Sequence, residues 1–506
     1  MTGSPGTRIA VSVVAGLLVS ALGIAQDRKW PSEKPPRPLP ADDMRFPAFD
    51  IRSLPNGLPV VVVNHPEQPA VSLRLIVRAG AAQDPPSKGG VAALATALLD
   101  QGTTSRTAQQ IAGTIDSVGG ELNSGTGRDL CYVNAAVMKD SFELATRLLA
   151  DVVRNPAFAP DEIERQRRQT QSALKVSNDD PAYVADVVID RLVYGVHPYG
   201  RSGVGTRESV ALIESDDLRE FQRRYFAPNN SLLAVVGDVT TVDAIAAITG
   251  AFGDWPRREI PPLAGAEPPL LPARRVVIVD KPDAVQTEVR VGHLGIPRRN
   301  PDFLALDVAV RILGGEGVNR LHQVLRTDRG LTYGAEANLE TLAHAGQVAA
   351  ATNTRSEATA EVLRLIVDEF ARLRRERVSE RELSDAKAYL TGNLPLTLET
   401  PEQIATQVLN VLFYKLPVDE LQTYRHRVNA LTVDDISRVA RQYIKPDQLS
   451  VVLVGNAAAF VNDLPGVGFG KFERIRLPDL DLDAAGLIRG RLGTPMPGPP
   501  LLSGPR

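Results

Sequence analysis

A chain of 506 residues exceeds the roughly 250 to 300 residues at which a single hydrophobic core stops growing, so two domains of about 200 residues each are expected. Its composition is that of a soluble globular protein, 43% hydrophobic and 23% charged, and 57 Lys+Arg against 60 Asp+Glu point to no nucleic-acid or strongly acidic partner. Cys131 is the only cysteine, which excludes an intramolecular disulfide and a cysteine-rich metal site.

At the N-terminus Arg8 precedes the apolar run from Ile9 to Ile24, and Gly23-Ile-Ala25 before Gln26 offers small residues where a signal peptidase reads. Residues 1–26 are therefore expected to be a cleaved signal peptide, and the protein to be periplasmic or secreted, with no stable membrane insertion afterwards. The alternative is a membrane anchor, which needs a run of roughly 20 apolar residues. Residues 27–47 are rich in proline and read as an extended tether.

A first domain is expected over 48–256. It opens with Val71-Ser-Leu-Arg-Leu-Ile-Val-Arg78, which alternates as a half-buried strand does. Residues 140–153 carry apolar positions at three-and-four spacing, an amphipathic helix, and Ala159-Pro-Asp-Glu162 starts a second long helix. A short helix then opens at Ser215-Asp-Asp-Leu218. It ends at a Tyr-x-x-Pro corner within Arg223-Arg-Tyr-Phe-Ala-Pro-Asn-Asn-Ser-Leu-Leu-Ala-Val-Val-Gly237, whose apolar run reads as a buried strand.

After a proline-rich linker, 257–273, the same order recurs over 274–476: a strand at 287–292, a helix at 358–370, and a helix start at Ser379-Glu-Arg-Glu382. Arg441-Gln-Tyr-Ile-Lys-Pro-Asp-Gln-Leu-Ser-Val-Val-Leu-Val-Gly455 repeats the earlier corner and strand 218 residues on, from Arg223 to Arg441. One ancestral domain was duplicated. Strands and helices in blocks predict an α+β fold, each half a mostly antiparallel sheet with helices on one face. The Pro/Gly-rich tail, 477–506, is expected to be disordered or loosely packed.

Three segments carry a family resemblance. The stretch from Arg78 to Thr103, with Gly90 and Gly102-Thr103 setting the register, resembles the strand, loop and metal-binding helix of the insulinase/pitrilysin zinc peptidases. Asp116 to Tyr132 is similar to the family's next helix end and edge strand, and Val193-Tyr-Gly-Val-His-Pro-Tyr-Gly200 to its His-Pro-x-Gly turn. The likeness runs from about Phe49 to about Phe472.

Active members carry H-x-x-E-H on that helix, because residues four apart share a face, so two imidazoles hold one Zn²⁺ while the glutamate serves as base. The resemblance places Ala93, Thr96 and Ala97 at these positions, and Ala173 at the third ligand, with Asp179-Asp180-Pro181 fixing the register. A methyl group cannot coordinate zinc, and a threonine hydroxyl is no base near neutral pH. No two of the six histidines, His65, His197, His293, His322, His344 and His426, lie three to five residues apart, and there is no G-x-S-x-G. Cys131 reads as a buried, inert thiol. No cofactor is expected in this chain, and zinc is expected in a partner subunit.

The second half keeps a different part. Leu313 to Gly334 is similar to the family segment in which an arginine and a tyrosine seven residues later hold substrate and stabilise the oxyanion, here Arg326 and Tyr333. The alternative is an Arg326 that caps its helix and a Tyr333 that packs. Gly314, Gly315 and Gly317 permit tight turns. A resemblance to the glycine-rich loop of the non-catalytic mitochondrial processing peptidase subunit makes them candidate substrate-binding residues. Asn123 opens a stretch, Asn123 to Asp129, that resembles the edge strand on which family members lay out an extended peptide, although Gly125 and Gly127 weaken a strand.

The resemblance thus implies a non-catalytic subunit that supplies Arg326 and Tyr333 in trans to a homologous partner bearing H-x-x-E-H, the pair cleaving peptides or unfolded proteins. The alternative is a peptide-binding or scaffold protein with no role in proteolysis, like the related core subunits of the respiratory cytochrome complex.

Overall fold

The computed structural model describes residues 46–263, 267–315 and 317–489. The segments read as a signal peptide and most of the tether lie outside the described residues. No helix among the described residues is long and apolar enough to cross a membrane.

The first half contains β1 (Asp50–Ser53), β2 (Pro59–Asn64), β3 (Ala70–Val77), α1 (Val91–Ala97), α2 (Ala108–Asp116), β4 (Glu121–Thr126), β5 (Cys131–Met138), α3 (Phe142–Arg154), α4 (Pro160–Ser177), α5 (Pro181–Tyr194), α6 (Arg207–Ala211), α7 (Ser215–Tyr225), β6 (Ser231–Gly237) and α8 (Thr241–Phe252). The second half contains β7 (Arg275–Asp280), β8 (Gln286–Leu294), α9 (Phe303–Gly314), a π-helical turn (His322–Asp328), β9 (Ala335–Thr341), β10 (Gly346–Arg355), α10 (Thr359–Arg375), α11 (Glu380–Asn393), α12 (Pro401–Phe413), α13 (Glu420–Ala430), α14 (Val433–Tyr443), β11 (Ser450–Gly455) and β12 (Glu473–Arg476). The duplication is visible in the sheets, ordered β1-β2-β6-β3-β5-β4 and β12-β7-β11-β8-β10-β9. In each, an inner pair is parallel, β2 with β6 and β7 with β11, and the hairpin leading to the open edge is antiparallel; the second sheet adds a parallel edge pair, β12 with β7.

Each sheet packs its own helices on one face. Leu73, Leu75, Val60, Val62, Leu233 and Val235 point into a core with α3 and α8, and Val289, Val291, Val451 and Leu453 do the same with α9, α10 and α14. The fold is therefore α+β with two homologous domains, as the repeat implies.

The opposite faces are apolar too, and here the halves exchange helices. Val61, Val63, Leu232, Ala234 and Val236 of the first sheet bury Ile404, Ala405, Val408 and Leu409 of α12, which belongs to the second half. Reciprocally, Val277, Val279, Val452 and Val454 bury Val184, Val188, Ile189 and Leu192 of α5, from the first half. Two-sided burial explains why β6 and β11 read as unbroken apolar runs and not as alternations. A cut at 256 and 274 separates the two sequence repeats but not the two packed cores.

Polar contacts lock the exchange. The turn after β4 brings Arg128 to Asp190 of α5 and to Glu340 of β9, the latter at 2.7 Å, with its guanidinium 5.5 Å from the Tyr194 ring. Beside it Asp129 accepts from the Tyr199 hydroxyl and, at 2.8 Å, from the Ala343 N–H, so the two hairpin turns meet.

The tail corrects the expectation in part. Residues 477–489 pack against the first half: Leu487 is fully buried, the Thr206 hydroxyl donates to Asp483 at 2.6 Å, and Arg489 pairs with Glu208. Proline and glycine there shape a strap that apolar side chains still anchor; residues 490–506 lie outside the described residues. At the other end Phe46, within the expected tether, is buried edge-on against Phe49.

Candidate functional site

Helix α1 begins where the buried Asp84 carboxylate accepts from the Gly90 N–H at 2.6 Å and the Ala92 N–H at 2.8 Å, meeting two of the helix's free donors. Burial raises this carboxyl to about 7 even against those hydrogen bonds. Ala93 and Ala97 are half-buried on α1, and Ala173 is exposed on α4. Thr96 is fully buried, its hydroxyl 2.7 Å from Ala92 O and 3.0 Å from Cys131 Sγ. A hydroxyl has one proton; given to the helix carbonyl, it leaves the thiol as donor to the oxygen. Burial pushes the Cys131 thiol up to about 11, so it stays protonated. Two further hydroxyls from β4, Ser124 and Thr126, donate to Thr96 O and Ala92 O and tie the edge strand to the helix.

This donor set does not fit a zinc ion: it consists of methyl groups, a hydroxyl already spent on its own helix, and a neutral thiol. Among the described residues no group of three or more His, Cys, Asp or Glu is placed to hold a metal. The thiol's burial predicts a large contrast. Cys131 in the native chain is expected to resist iodoacetamide over hours and to react fully once the chain is unfolded in urea; mass spectrometry of both samples checks it.

Asn123 lies on β4, lining a cavity of about 640 Å³ against α2. Its Oδ1 accepts from Asn134 Nδ2 at 3.0 Å, and Asn134 in turn meets Arg74 and Glu402 of α12. The strand is intact despite its glycines. Gly125 faces Tyr132 across the hairpin, and a Cβ there would come within 2.3 Å of the Tyr132 hydroxyl, so glycine is what lets the Tyr132 ring lie over the strand. Gly127 falls in the turn.

In the second half α9 ends at Gly314, where a Cβ would lie 2.3 Å from Ala337 N of β9, and Gly317 takes φ +87°. Buried Asn319 pins this loop by donating to the carbonyls of Gly315 and Gly317, while its Oδ1 accepts from His322 N at 2.7 Å. The π-helical turn then places the Arg326 guanidinium 4.6 Å from the centroid of the Tyr333 ring, with Arg326 Nη1 3.3 Å from His322 Nε2. Tyr333 is 84% exposed, so it does not pack into the core, and no carboxylate pairs with Arg326 among the described residues. Gly314, Gly315, Gly317, Asn319 and His322 line one cavity of about 410 Å³, with Glu336 and Asn338 of β9.

The structure thus brings the three glycines together and stacks Arg326 on Tyr333. Among the described residues no hydrogen bond or ion pair joins this cluster to α1; those of residues 319–333 stay within the second half. His322 joins the cluster although its only sequence signal is a four-residue spacing from Arg326 on one helical face.

Two homologous sheet-and-helix domains, one ending in an open edge strand beside a short buried helix and the other in an exposed arginine–tyrosine pair, define a two-domain peptidase scaffold. The chain belongs to the insulinase family of peptidases, M16. Residues 59–207 match the model described as Insulinase (Peptidase family M16), and residues 213–390 the model described as Peptidase M16 inactive domain. A protein of Mycobacterium tuberculosis, named an uncharacterized zinc protease, is 30% identical over 421 residues, 81% of this chain and 94% of the relative. A Bacillus subtilis zinc protease of the same description, YmxG, is 24% identical over 78% of this chain and 95% of its own. Among solved structures, a peptidase M16 inactive domain from Pseudomonas fluorescens superposes with a TM-score of 0.76 at 29% identity, covering 81% of this chain and 98% of its own. A chain of complex III2 from Candida albicans shares the fold at 16% identity, with a TM-score of 0.69 over 81% of this chain and 97% of its own.

Proposed function

We propose that this chain is the non-catalytic half of a heterodimeric zinc endopeptidase, and that it supplies Arg326 and Tyr333 to a homologous subunit bearing H-x-x-E-H. The exposed Arg326–Tyr333 stack carries this reading. A guanidinium and a phenol held together, with no carboxylate among the described residues spent on the guanidinium, are oxyanion and substrate donors awaiting a reaction centre, and the helix in the same chain offers only methyl groups at the ligand positions. In the complex the partner's zinc would supply the activated water. This chain's own residues would bind the extended peptide on the open edge of β4 near Asn123, guide it past Gly314, Gly315 and Gly317, and donate hydrogen bonds to the carbonyl oxygen as charge develops there.

Purified alone, the chain is expected to hold no stoichiometric zinc and to leave unfolded peptides intact. One tightly held zinc per chain on metal analysis would sink the proposal. We also propose export: the mature chain should begin near Gln26 or Asp27 and fractionate outside the cytoplasm. Mass spectrometry that finds Met1 to Ala25 intact in a cytoplasmic fraction would count against it. A scaffold role is the competing outcome, and it is separated from the first by the activity of Arg326 variants in the assembled complex.

A further inference from the structure

The glycine loop after α9 has two sides. Gly317 and Asn319 line the 410 Å³ cavity on one side and a second, larger cavity of about 720 Å³ on the other. The second cavity lies among the loop, the π-helical turn, α10 and α11. Four arginines line it, Arg311, Arg320, Arg372 and Arg381, against three acids, Asp328, Glu382 and Asp385.

Most of these charges are already satisfied. Arg372 donates to Glu369 and Glu376, Arg311 to Asp307, and Arg381 lies 3.6 Å from Asp385 at the exposed rim. Asp328 accepts from Gln323. Arg320 differs. Its side chain is only 6% exposed, its Nε donates to Glu382 at 2.6 Å, and its Nη1 is buried without any acceptor. Glu382 does not serve that second nitrogen: its Oε1 takes the Arg320 Nε, and its Oε2 takes the Ser379 N–H at 2.7 Å and the Ser379 hydroxyl at 2.8 Å. Burial would raise the Glu382 carboxyl, but the hydrogen bonds from Arg320 and Ser379 outweigh it and hold it down to about 2, so it remains a charged acceptor.

A buried guanidinium N–H without an acceptor is a costly arrangement, and it is relieved by an oxyanion that matches the planar fork. The volume decides which kind. A space of about 720 Å³ lies within the range of organic-ligand pockets and far above the roughly 30 Å³ share of one water. Its remaining wall is apolar, formed by Ile312, Val318, Val324, Ala386 and the Tyr389 ring. We propose that this cavity binds a carboxylate carried on a small apolar body, such as the free C-terminus of a short peptide, with the carboxylate on Arg320 and the body against Val324 and Tyr389. Since the glycine loop is the shared wall, such a ligand would set the loop's position from behind.

The test needs only the purified chain. N-acetyl-leucine, its amide and inorganic phosphate are titrated by calorimetry and by thermal shift. The expected result is millimolar or tighter binding of N-acetyl-leucine, at least about tenfold weaker binding of the amide, and a rise in Tm with the acid alone. Arg320→Gln should abolish the effect. Because that variant leaves Glu382 without its partner and can misfold, Val318→Asp, at a position 83% exposed, serves as the second variant, placing a negative charge at the mouth and weakening the acid at least about tenfold. Equal binding of acid and amide, unchanged binding in Val318→Asp, or no binding of the acid would overturn the proposal. Phosphate binding as tightly as N-acetyl-leucine would replace the carboxylate by a phosphate and overturn the assignment of class.

Discussion

Arg326→Ala in the assembled complex is expected to lower peptide turnover by about a hundredfold or more, about 3 kcal/mol of transition-state stabilisation, with the partner's zinc content unchanged. The size follows from what the residue does in the proposed reaction. Attack of water on a peptide carbonyl places negative charge on its oxygen, and a preorganised cationic donor in a water-poor chamber counts for more there than in bulk solvent. Tyr333→Phe removes one hydroxyl and should also slow turnover, while keeping the ring that the guanidinium rests on. If the two donors act as a unit, the double variant should lose less than the sum of the single losses. Turnover and metal content of the wild-type and variant complexes check the claim together. Full activity with both residues replaced would reduce the stack to a structural relic and leave a scaffold role.

Leu409→Ala is expected to destabilise the first half of the chain although it lies in the second. Leu409 is 1% exposed on α12 and sits with Val61, Val63, Leu232 and Val236 of the first sheet. A leucine-to-alanine change in such a core costs about 2 to 5 kcal/mol, a large share of a typical stability of about 5 to 15 kcal/mol. Hydrogen exchange should then accelerate first in β2 and β6. Leu192→Ala, on α5, should mirror it by loosening β7 and β11. Loss of protection confined to the sheet of the mutated helix's own half would contradict the exchange. Neither half is expected to fold when expressed alone, since each would expose one apolar face of its sheet.

The duplication, the α+β class and the family were legible in the sequence because they rest on local signals. A repeat 218 residues apart from Arg223 to Arg441, a Tyr-x-x-Pro corner and an apolar strand survive without any knowledge of packing. The assignment of Ala93, Thr96 and Ala97 to the H-x-x-E-H positions rests on the resemblance alone, because that motif is a spacing on one helix and its register is set by neighbouring glycines. The seven-residue interval from Arg326 to Tyr333 was legible in the sequence. The sequence could say that these two are of the right type; it could not say that they stack, that Tyr333 faces solvent, or that His322 stands beside them, because side-chain direction on a π-helical turn is set by the turn itself.

What the tertiary structure alone decided is which surface covers which. An apolar stripe records that a helix is buried but carries no address, and a duplicated chain offers two sheets of the same shape to two helices of the same pattern. Helices α5 and α12 could each satisfy their periodicity on either sheet; the ion pairs of Arg128 with Asp190 and Glu340, made between residues far apart in the chain, go with the crossed arrangement. The 477–489 strap was hidden likewise, because composition rich in proline and glycine predicts looseness, while its leucines, Leu487 above all, are buried in a cluster formed by α5 and the second sheet, far from them in the chain. The sequence by itself determined the domains' kind and number; contacts between residues hundreds of positions apart determined their interlocking, since burial free energy depends on the partner surface and not on the stripe alone.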